Sequence, residues 1–281
     1  MIRFALIGCG TWGWRYIPSA LESLVAKVSH VVRPKSSIDS KWLSEVKIIE
    51  NWKKLINEPI DAVIIATPPD SHAEIAEYFL SKGIPVIVEK PLTINSKEVI
   101  NSSNVPFLVN HIHLFSPAYE ELQYMYNSIL NPGNTYMYGW GGSYGPFRDY
   151  SEIWDYAPHD ISMCLGLLQS YPKEIIYSKM LERHNITLAS GNKTCNIQIW
   201  NNSLPKTRRF ELFCKDNHFI YDDLSEYKLL LNNSPIIVSD EKPLTNVIIE
   251  FVKAIKTGKM DWRFGAKIGQ DVVNIIGCLY K

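Results

Sequence analysis

The chain has 281 residues, of which 46% are hydrophobic and 21% are charged, and its 29 basic residues balance its 29 acidic ones. Such a length suits one large domain or two ordinary ones. With a formal charge of zero, the chain lacks the excess of basic residues that is typical of nucleic-acid-binding proteins. No apolar run approaches the roughly 18 residues that span a bilayer. We therefore expect neither nucleic acid nor a membrane as a partner. The lack of a signal-peptide pattern leads us to expect a cytoplasmic protein.

The five cysteines are far apart in the chain, and none belongs to a Cys-x-x-Cys pair. An odd, scattered set is not typical of a disulfide scaffold or of a structural zinc site. His111 and His113 would lie on one face of a strand, a spacing compatible with metal binding, but no third ligand is near them in the sequence. We therefore predict reduced cysteines and no metal.

The first 115 residues alternate short apolar runs with amphipathic segments. The predicted strands are 2–7, 28–32, 47–49, 61–66 and 85–88, and the predicted helices are 17–25, 52–56 and 71–82. Ser71 and Glu74 match a capping box, Gly83 suits a C-terminal helix cap, and Asn95 with Glu98 is expected to cap one more short helix. Because these strands lack polar alternation, they indicate a parallel sheet covered on both faces. Residues 1–115 are therefore predicted to form a doubly wound α/β domain.

Residues 116–281 show a different pattern, in which short alternating segments are separated by turn residues. The predicted strands are 175–180, 185–189, 195–200, 208–213, 219–222 and 227–231, and the predicted helices are 119–130, 159–168, 245–255 and 269–279. Short strands joined by tight turns indicate an antiparallel sheet. We predict an α+β domain for substrate binding, with a mainly antiparallel, open-faced sheet. The open face is also expected to serve assembly, because an exposed apolar face is typical of a protein interface.

A glycine-rich turn directly follows the first strand, and residues 8–13 (Gly-Cys-Gly-Thr-Trp-Gly) fit the pattern G-x-G-x-x-G. The glycines allow a tight turn, a close approach of the backbone to a pyrophosphate, and close packing of strand and helix. Free amides at the helix N-terminus then face the phosphates. The first domain is therefore predicted to be a Rossmann domain, and Pro18 should bend its first helix or delay the regular part. The predicted dinucleotide ligands in this turn are Gly8, Gly10, Thr11, Trp12 and Gly13.

The end of the second strand normally has an acid that binds the ribose 2′-hydroxyl of NAD. No acid occurs between Glu22 and Asp39, and the segment instead contains Arg33, Lys35 and Ser36. A guanidinium group and a hydroxyl group suit a 2′-phosphate. We predict NADP as the cofactor, with Arg33 and Ser36 as ligands. NAD is the alternative if this loop is only a solvated basic surface.

Three further segments complete a family resemblance. Residues 66–72 (Ala-Thr-Pro-Pro-Asp-Ser-His) and 88–92 (Val-Glu-Lys-Pro-Leu) lie at predicted strand ends, where a doubly wound sheet binds its ligands. Residues 155–160 (Asp-Tyr-Ala-Pro-His-Asp) fit the pattern D-x-[GA]-x-H. Together with the glycine turn, these segments closely resemble the Gfo/Idh/MocA family of nicotinamide-dependent oxidoreductases. The resemblance implies an NAD(P)-dependent enzyme that acts on CH–OH groups of a sugar, polyol or ketosugar, and a homodimer or homotetramer.

The resemblance and the position of the motifs also assign further site residues. Those expected near the cofactor are Ala66, Thr67, Pro68, His72, Glu89, Lys90 and Asn110. Those expected near the substrate are Lys90, His111, Tyr144, Arg148, Trp154, Asp155 and His159. Aromatic side chains near Asp155, including Trp140 and Tyr156, suit a carbohydrate ring. The same aromatic side chains would equally suit packing between the domains.

Residue chemistry supports Lys90, Asp155 and His159 as the catalytic set. Hydride transfer from or to a secondary alcohol needs a proton carrier at the alcohol oxygen, and histidine has a suitable pKa. Asp155, four residues before His159, reaches the ring if the helix has begun, and Lys90 donates a hydrogen bond to the developing alkoxide. Two alternatives stay open. One is an enzyme of the same family that hydrolyses glycosides with retained NAD, and the other is a nucleotide-sensing regulator without catalysis.

Overall fold

The structure is a computed structural model that describes residues 1–33, 40–100, 105–143, 150–201 and 206–280. It divides into two compact units, of which the first comprises residues 1–112 and 242–273 and the second residues 113–241 and 274–281. The start of the second unit is close to the predicted boundary at residue 116. Residues 242–273, however, were predicted in the second domain and join the first. The reason is that helix α5 (Pro243–Thr257) packs on other elements of the first unit, with Phe251 6.1 Å from the ring of Phe4.

The first unit contains a six-stranded parallel sheet in the order β3-β2-β1-β4-β5-β6. The strands are β1 (Ile2–Ile7), β2 (Ala26–Val32), β3 (Lys47–Ile49), β4 (Ala62–Ile65), β5 (Val86–Glu89) and β6 (Phe107–Asn110). Besides α5, its helices are α1 (Tyr16–Glu22) and α2 (His72–Leu80). All four side chains of β4 are fully buried, and full burial of one isoleucine contributes about 1.5–3 kcal/mol. The predicted doubly wound domain is confirmed.

Local details of the first unit differ from the predictions in ways that hydrogen bonds explain. Residues Gly13–Arg15 form a 3₁₀ turn before α1, so the helix that contains Pro18 begins late, as predicted. The capping box at Ser71 is wrong, because its hydroxyl oxygen faces backward and lies 2.7 Å from Thr67 Oγ1 and 2.8 Å from the carbonyl oxygen of Pro68. Asn95 forms a turn that does not continue as a helix through residue 100.

The second unit contains an eight-stranded sheet in the order β14-β13-β12-β11-β7-β10-β9-β8, in which only the β7–β10 pair is parallel among the described strands. The strands are β7 (Thr135–Ser143), β8 (Glu174–Met180), β9 (Arg183–Ser190), β10 (Lys193–Asn201), β11 (Thr207–Cys214), β12 (Asn217–Asp222), β13 (Leu229–Leu231) and β14 (Ser234–Pro235). The helices of this unit are α3 (Pro117–Asn127) and α4 (Glu152–Leu168). The last helix, α6 (Lys267–Cys278), begins in the first unit and ends in the second. The predicted, mainly antiparallel second sheet is confirmed.

Two features of the second unit were not predicted from the sequence. Strand β7 lies at the centre of the sheet, although its glycine- and aromatic-rich sequence was not among the predicted strands. Helix α4 begins at Glu152 rather than near His159, with Ser151 as its N-cap. Along β7, Gly139 and Gly141 face α4, whereas Tyr138 and Trp140 point to the opposite face. Trp140 therefore does not lie beside Asp155 of α4, contrary to expectation.

Among the described residues, no helix has the length and the apolar composition needed to cross a membrane.

Candidate active site

In the glycine turn after β1, the positions of Gly8 and Gly13 are packed too closely for a side chain. A Cβ atom added to Gly8 would lie 2.5 Å from the carbonyl of Ala66 and from the amide of Thr67, and the φ angle of Gly8 is +96°. A Cβ atom added to Gly13 would lie 2.0 Å from the carbonyl oxygen of Gly8. Glycine at these positions lets the turn, the start of the helix and the end of β4 meet closely. This arrangement fits a dinucleotide, whose pyrophosphate needs such an unobstructed backbone.

The carboxylate of Glu89, at the end of β5, joins four elements of the first unit. Its Oε1 atom accepts hydrogen bonds from Trp12 Nε1 (2.7 Å), Tyr16 Oη (2.6 Å) and Asn110 Nδ2 (2.8 Å). Glu89 is only 7% exposed. Burial and the charge of Glu89 raise the pKa of Tyr16, so its hydroxyl stays protonated and donates. The glycine turn is thus tied through one carboxylate to the strand end that leads into Lys90. We name Trp12, Tyr16, Glu89 and Asn110 the Glu89 cluster.

One atom of the Glu89 cluster points to a ligand. Asn110 Oδ1 is buried and has no hydrogen-bond partner among the residues that the structure describes. A buried amide oxygen without a donor costs about 1–3 kcal/mol. The position at the end of β6 is at the carboxyl edge of the parallel sheet, where ligands of such sheets bind. Asn110 is therefore suited to accept a hydrogen bond from a bound group.

His72 links the segments that follow β4 and β5. Its Nδ1 atom lies 2.9 Å from the carbonyl oxygen of Pro91, and its Nε2 atom lies 2.8 Å from the carbonyl oxygen of Thr67. Burial lowers the pKa of His72, so the ring is neutral at pH 7 and donates one of these two hydrogen bonds. In this structure the imidazole of His72, predicted as a cofactor ligand, contacts backbone. It fixes the segment that contains Lys90.

Arg33 lies at the end of β2 with 72% of its side chain exposed, and its Nε atom is 3.6 Å from Glu50 Oε2. Such an exposed pair contributes about 0–1 kcal/mol and leaves the guanidinium free to exchange partners. Three other predicted site residues, Ser36, Tyr144 and Arg148, lie outside the described residues, as does Lys35.

The second unit contains the predicted motif on helix α4. Because α4 begins at Glu152, Asp155 and His159 are one helical turn apart on the same face. The rings of His159 and His113 lie 4.8 Å apart at 90°, and His113 Nδ1 is 2.8 Å from Tyr221 Oη. His159 is 9% exposed. Trp154, predicted to contact substrate, is 7% exposed on the same helix.

The interpretation of His111 and His113 as neighbours on one strand face is wrong. Strand β6 ends at Asn110, and residues Ile112–Phe115 form a 3₁₀ turn instead. His111 belongs to the first unit and His113 to the second. The described residues contain no group of three or more His, Cys, Asp or Glu side chains that could hold a metal ion.

Two ionisable side chains that the sequence did not single out lie where α4 packs on the second sheet, Asp160 on α4 itself and Arg208 on the sheet. The carboxyl group of Asp160 is buried against β7, where Cβ atoms added to Gly139 and Gly141 would come within 2.9 and 2.8 Å of its oxygens. The guanidinium carbon of Arg208, on β11, lies 5.0 Å from the ring centre of Tyr156. Neither contact has a local sequence signal, because each joins α4 to a strand that is distant in the sequence.

Comparison with known proteins agrees with this arrangement. Residues 2–104 match the family model described as "Oxidoreductase family, NAD-binding Rossmann fold", named GFO_IDH_MocA. The rhizopine catabolism protein MocA of Rhizobium meliloti is 26% identical over 105 residues, which are 37% of this chain and 33% of that protein. The scyllo-inositol 2-dehydrogenase (NAD(+)) of Bacillus subtilis is 29% identical over 132 residues, which are 43% of this chain and 38% of that enzyme. The matches therefore span little more than a third of these two relatives.

A crystal structure of a protein from Magnetospirillum magnetotacticum MS-1 extends the similarity to both units. It has a TM-score of 0.85 and 29% sequence identity, and the match covers 98% of each chain. The glycine turn and the segment with Lys90 both lie within residues 2–104, the range that the family model matches. Over residues 2–104, the chain is thus similar to the Gfo/Idh/MocA family of oxidoreductases.

Proposed function

We propose that the protein is an NAD(P)-dependent dehydrogenase or reductase that acts on the CH–OH group of a sugar, polyol or ketosugar. The observation that supports this most strongly is the Glu89 cluster. It ties the glycine turn, which fits a pyrophosphate, to the strand end that continues into Lys90. The scyllo-inositol after which the relative from Bacillus subtilis is named is a polyol with secondary alcohol groups of the kind expected here.

The first unit would hold the dinucleotide. The backbone of the glycine turn would approach the pyrophosphate, and Ala66, Thr67 and Pro68 would flank it from the end of β4. Asn110 would use its unpaired oxygen toward the bound group. When bound, the nicotinamide supplies or accepts the hydride. NADP is favoured by Arg33, whose guanidinium suits a 2′-phosphate, with Ser36 as a second donor.

The catalytic roles fall to Lys90, Asp155 and His159. Lys90 would donate a hydrogen bond to the substrate oxygen and stabilise negative charge that develops there. His159 would take the proton from that oxygen in oxidation and return it in reduction. Asp155, one turn earlier on α4, would orient the imidazole and stabilise its charged form. His111 and Trp154, with Tyr144 and Arg148, are proposed to contact substrate.

We also propose that two or four copies assemble through the open face of the second sheet. Side chains of β7 and β11 form a groove of about 490 Å³ on this face, lined by Tyr136, Tyr138, Trp140, Glu211 and Phe213. Aromatic side chains are enriched in protein interfaces. Light scattering at micromolar concentration should give a molar mass of two or four times 32.2 kDa, the mass of one chain. Tyr138→Lys should reduce the mass, whereas Leu181→Lys, at an exposed turn outside the groove, should not.

The test of the activity is a screen of cofactor and substrate pairs. Absorbance at the reduced-nicotinamide band reports NADPH or NADH consumption with ketosugars and NADP⁺ or NAD⁺ reduction with inositols and sugars. Net turnover with one of these pairs supports the proposal. Tight cofactor retention with glycoside cleavage and no net redox change would instead identify a hydrolase. Cofactor binding without any turnover, together with unchanged binding in His159→Ala, would identify a sensor.

A further inference from the structure

Among the residues that the structure describes, Arg208 on the inner side of the second sheet uses only part of its hydrogen-bonding capacity. It is half-buried on β11, pairs with Gly141 of β7, and donates from Nη1 to the carbonyl of Thr207 at 3.1 Å. It forms no ion pair with any described residue, whereas its neighbour Arg209 lies 2.6 Å from Glu211. A guanidinium group has five N–H donors and cannot lose its charge in a protein. Most of its donors are therefore not used by the described residues, and these donors suit a ligand.

The buried carboxyl group of Asp160 offsets the charge of Arg208 only in part. Asp160 lies against β7, and a Cβ atom added to Gly141 would be 2.8 Å from Asp160 Oδ2 and 3.7 Å from Arg208 Nη1. Burial raises the pKa of Asp160 to about 7, even though the charge of Arg208 acts to lower it. At neutral pH this carboxyl group is therefore only partly ionised and offsets the charge of the guanidinium only in part, and the carboxyl group of Asp223, half-buried, also acts on that charge.

The guanidinium group is also held in place. Its carbon atom lies 5.0 Å from the ring centre of Tyr156, a residue of the turn of α4 that contains both Asp155 and His159. Packing against an aromatic ring limits the rotation of the planar group and leaves its N–H edges available. A planar, preorganised fork of this kind matches the two oxygens of a carboxylate or phosphate group.

We propose that Arg208 binds an anionic group of the substrate, a carboxylate or a phosphate on a sugar or polyol. The inference rests on the proposed function, because it takes the face of α4 with Asp155 and His159 as the place where substrate binds. It narrows the substrate class from sugars and polyols in general to those with an acidic group. Tyr156 is a positioning residue for the guanidinium.

Binding of three sugars to the NADP⁺-loaded protein tests the proposal by calorimetry, with D-glucose, D-glucuronate and glucose 6-phosphate as probes. At least one acidic sugar should bind 10-fold or more tightly than D-glucose, as expected of about 1.5–3 kcal/mol for hydrogen bonds to a charged group. Glucuronate and glucose 6-phosphate distinguish a carboxylate from a phosphate ligand. Arg208→Gln should remove the preference and leave the affinity for D-glucose unchanged.

Two control variants sharpen this test. Arg183→Gln changes an arginine that packs on Trp200 on the other face of the sheet and should keep the preference. Arg208→Lys keeps the charge without the fork and should retain only part of it. If the wild-type protein shows no preference for an acidic sugar, including the case in which none of the three binds, the proposal is overturned. A preference that survives Arg208→Gln also overturns it.

The two proposals fail in different ways. Acid-selective binding that depends on Arg208, without hydride transfer to any sugar, would leave the anion site standing and contradict the dehydrogenase. Hydride transfer from neutral polyols to the oxidised nicotinamide, without any preference for acidic sugars, would support the dehydrogenase and contradict the anion site. If Arg208→Gln does not fold, as judged by circular dichroism, the affinities of the three sugars for the wild-type protein and for Arg208→Lys still test whether Arg208 binds the anionic group.

Discussion

The imidazole ring of His113 lies perpendicular to that of His159, with ring centres 4.8 Å apart. His113 Nδ1 is also 2.8 Å from the hydroxyl oxygen of Tyr221, which is buried. Burial raises the pKa of Tyr221, so the hydroxyl keeps its proton at neutral pH. His113 is thus anchored by a neutral hydroxyl while its ring packs against the proposed acid–base residue. The orientation of His159 depends in part on this contact.

Tyr221→Phe should lower kcat by about 10-fold, less than the hundredfold that a misplacement of about 1 Å can cost. The change removes only the hydroxyl that anchors His113, and KM and cofactor affinity should stay near the wild-type values. Tyr119→Phe is the matched control, because it also loses a buried hydroxyl, which donates to the carbonyl of Met163 at 2.7 Å. Steady-state kinetics that show equal kcat values for Tyr221→Phe and Tyr119→Phe would contradict this role.

Trp12→Phe should weaken NADPH binding about fivefold, which corresponds to about 1 kcal/mol for one lost hydrogen bond. The variant keeps an aromatic ring but loses the N–H group that donates to Glu89 at 2.7 Å. Without this hydrogen bond the glycine turn becomes ordered only when the cofactor binds, and the cost of ordering lowers the affinity. Calorimetry measures the dissociation constant. Trp14→Phe is the control, since Trp14 packs on Trp42, and it should bind as the wild type does. Equal losses in both variants would show that Glu89 does not preorganise the turn.

Arg33→Ala should weaken NADPH binding by about 1–3 kcal/mol and leave NADH binding nearly unchanged, because only NADPH has the 2′-phosphate. Glu50→Gln should act in the opposite direction, since it removes the carboxylate that lies 3.6 Å from the guanidinium. Dissociation constants of both cofactors for the three proteins provide the test. A wild-type preference for NADH, or equal losses for both cofactors in Arg33→Ala, would show that the loop is only a solvated surface.

Asp160→Asn should stabilise the protein at high pH. Burial raises the pKa of Asp160 from 3.8 to about 7, so the folded protein binds a proton between these pH values that the unfolded chain has lost. The charged carboxylate therefore costs stability that increases as pH rises from about 4 to 7. Urea unfolding should show little difference between variant and wild type at pH 4 and a gain of up to about 4 kcal/mol at pH 8. A pH-independent difference would contradict the raised pKa.

The parts of the fold that follow local rules were predictable from the sequence. The apolar run of β4 and the glycine turn at Gly8 and Gly13 contain their structural reason within a few residues, since turn geometry and burial are local properties. Strand β7 was missed because its glycines lower strand propensity. The reason for those glycines is Asp160, some twenty residues away, which would collide with side chains at Gly139 and Gly141.

In the candidate site, too, the residues were predictable where the signal is local, but their long-range contacts were not. Glu89 and Asn110 were expected near the cofactor, but their joint contact with Tyr16 depends on the register of β5 with β6 and on a sequence separation of 73 residues. His113 was considered only as a metal ligand, because the turn at Ile112–Phe115 and the distant Tyr221 could not be inferred from spacing. Such long-range contacts are specified by the tertiary fold, which sequence periodicity alone does not determine.

Single-turnover hydride transfer by His159→Ala tests the proposed catalytic role most directly, with NADPH or NADH binding measured in parallel. We predict a rate lower by about 10²–10⁴-fold, the usual effect of losing a general acid–base group. Cofactor affinity should be unchanged, because the glycine turn and the Glu89 cluster belong to the first unit. Asp155→Asn should cost less, since it leaves the imidazole in place. A His159→Ala protein that transfers hydride at nearly the wild-type rate would contradict this role and make Lys90 the leading candidate for the proton carrier.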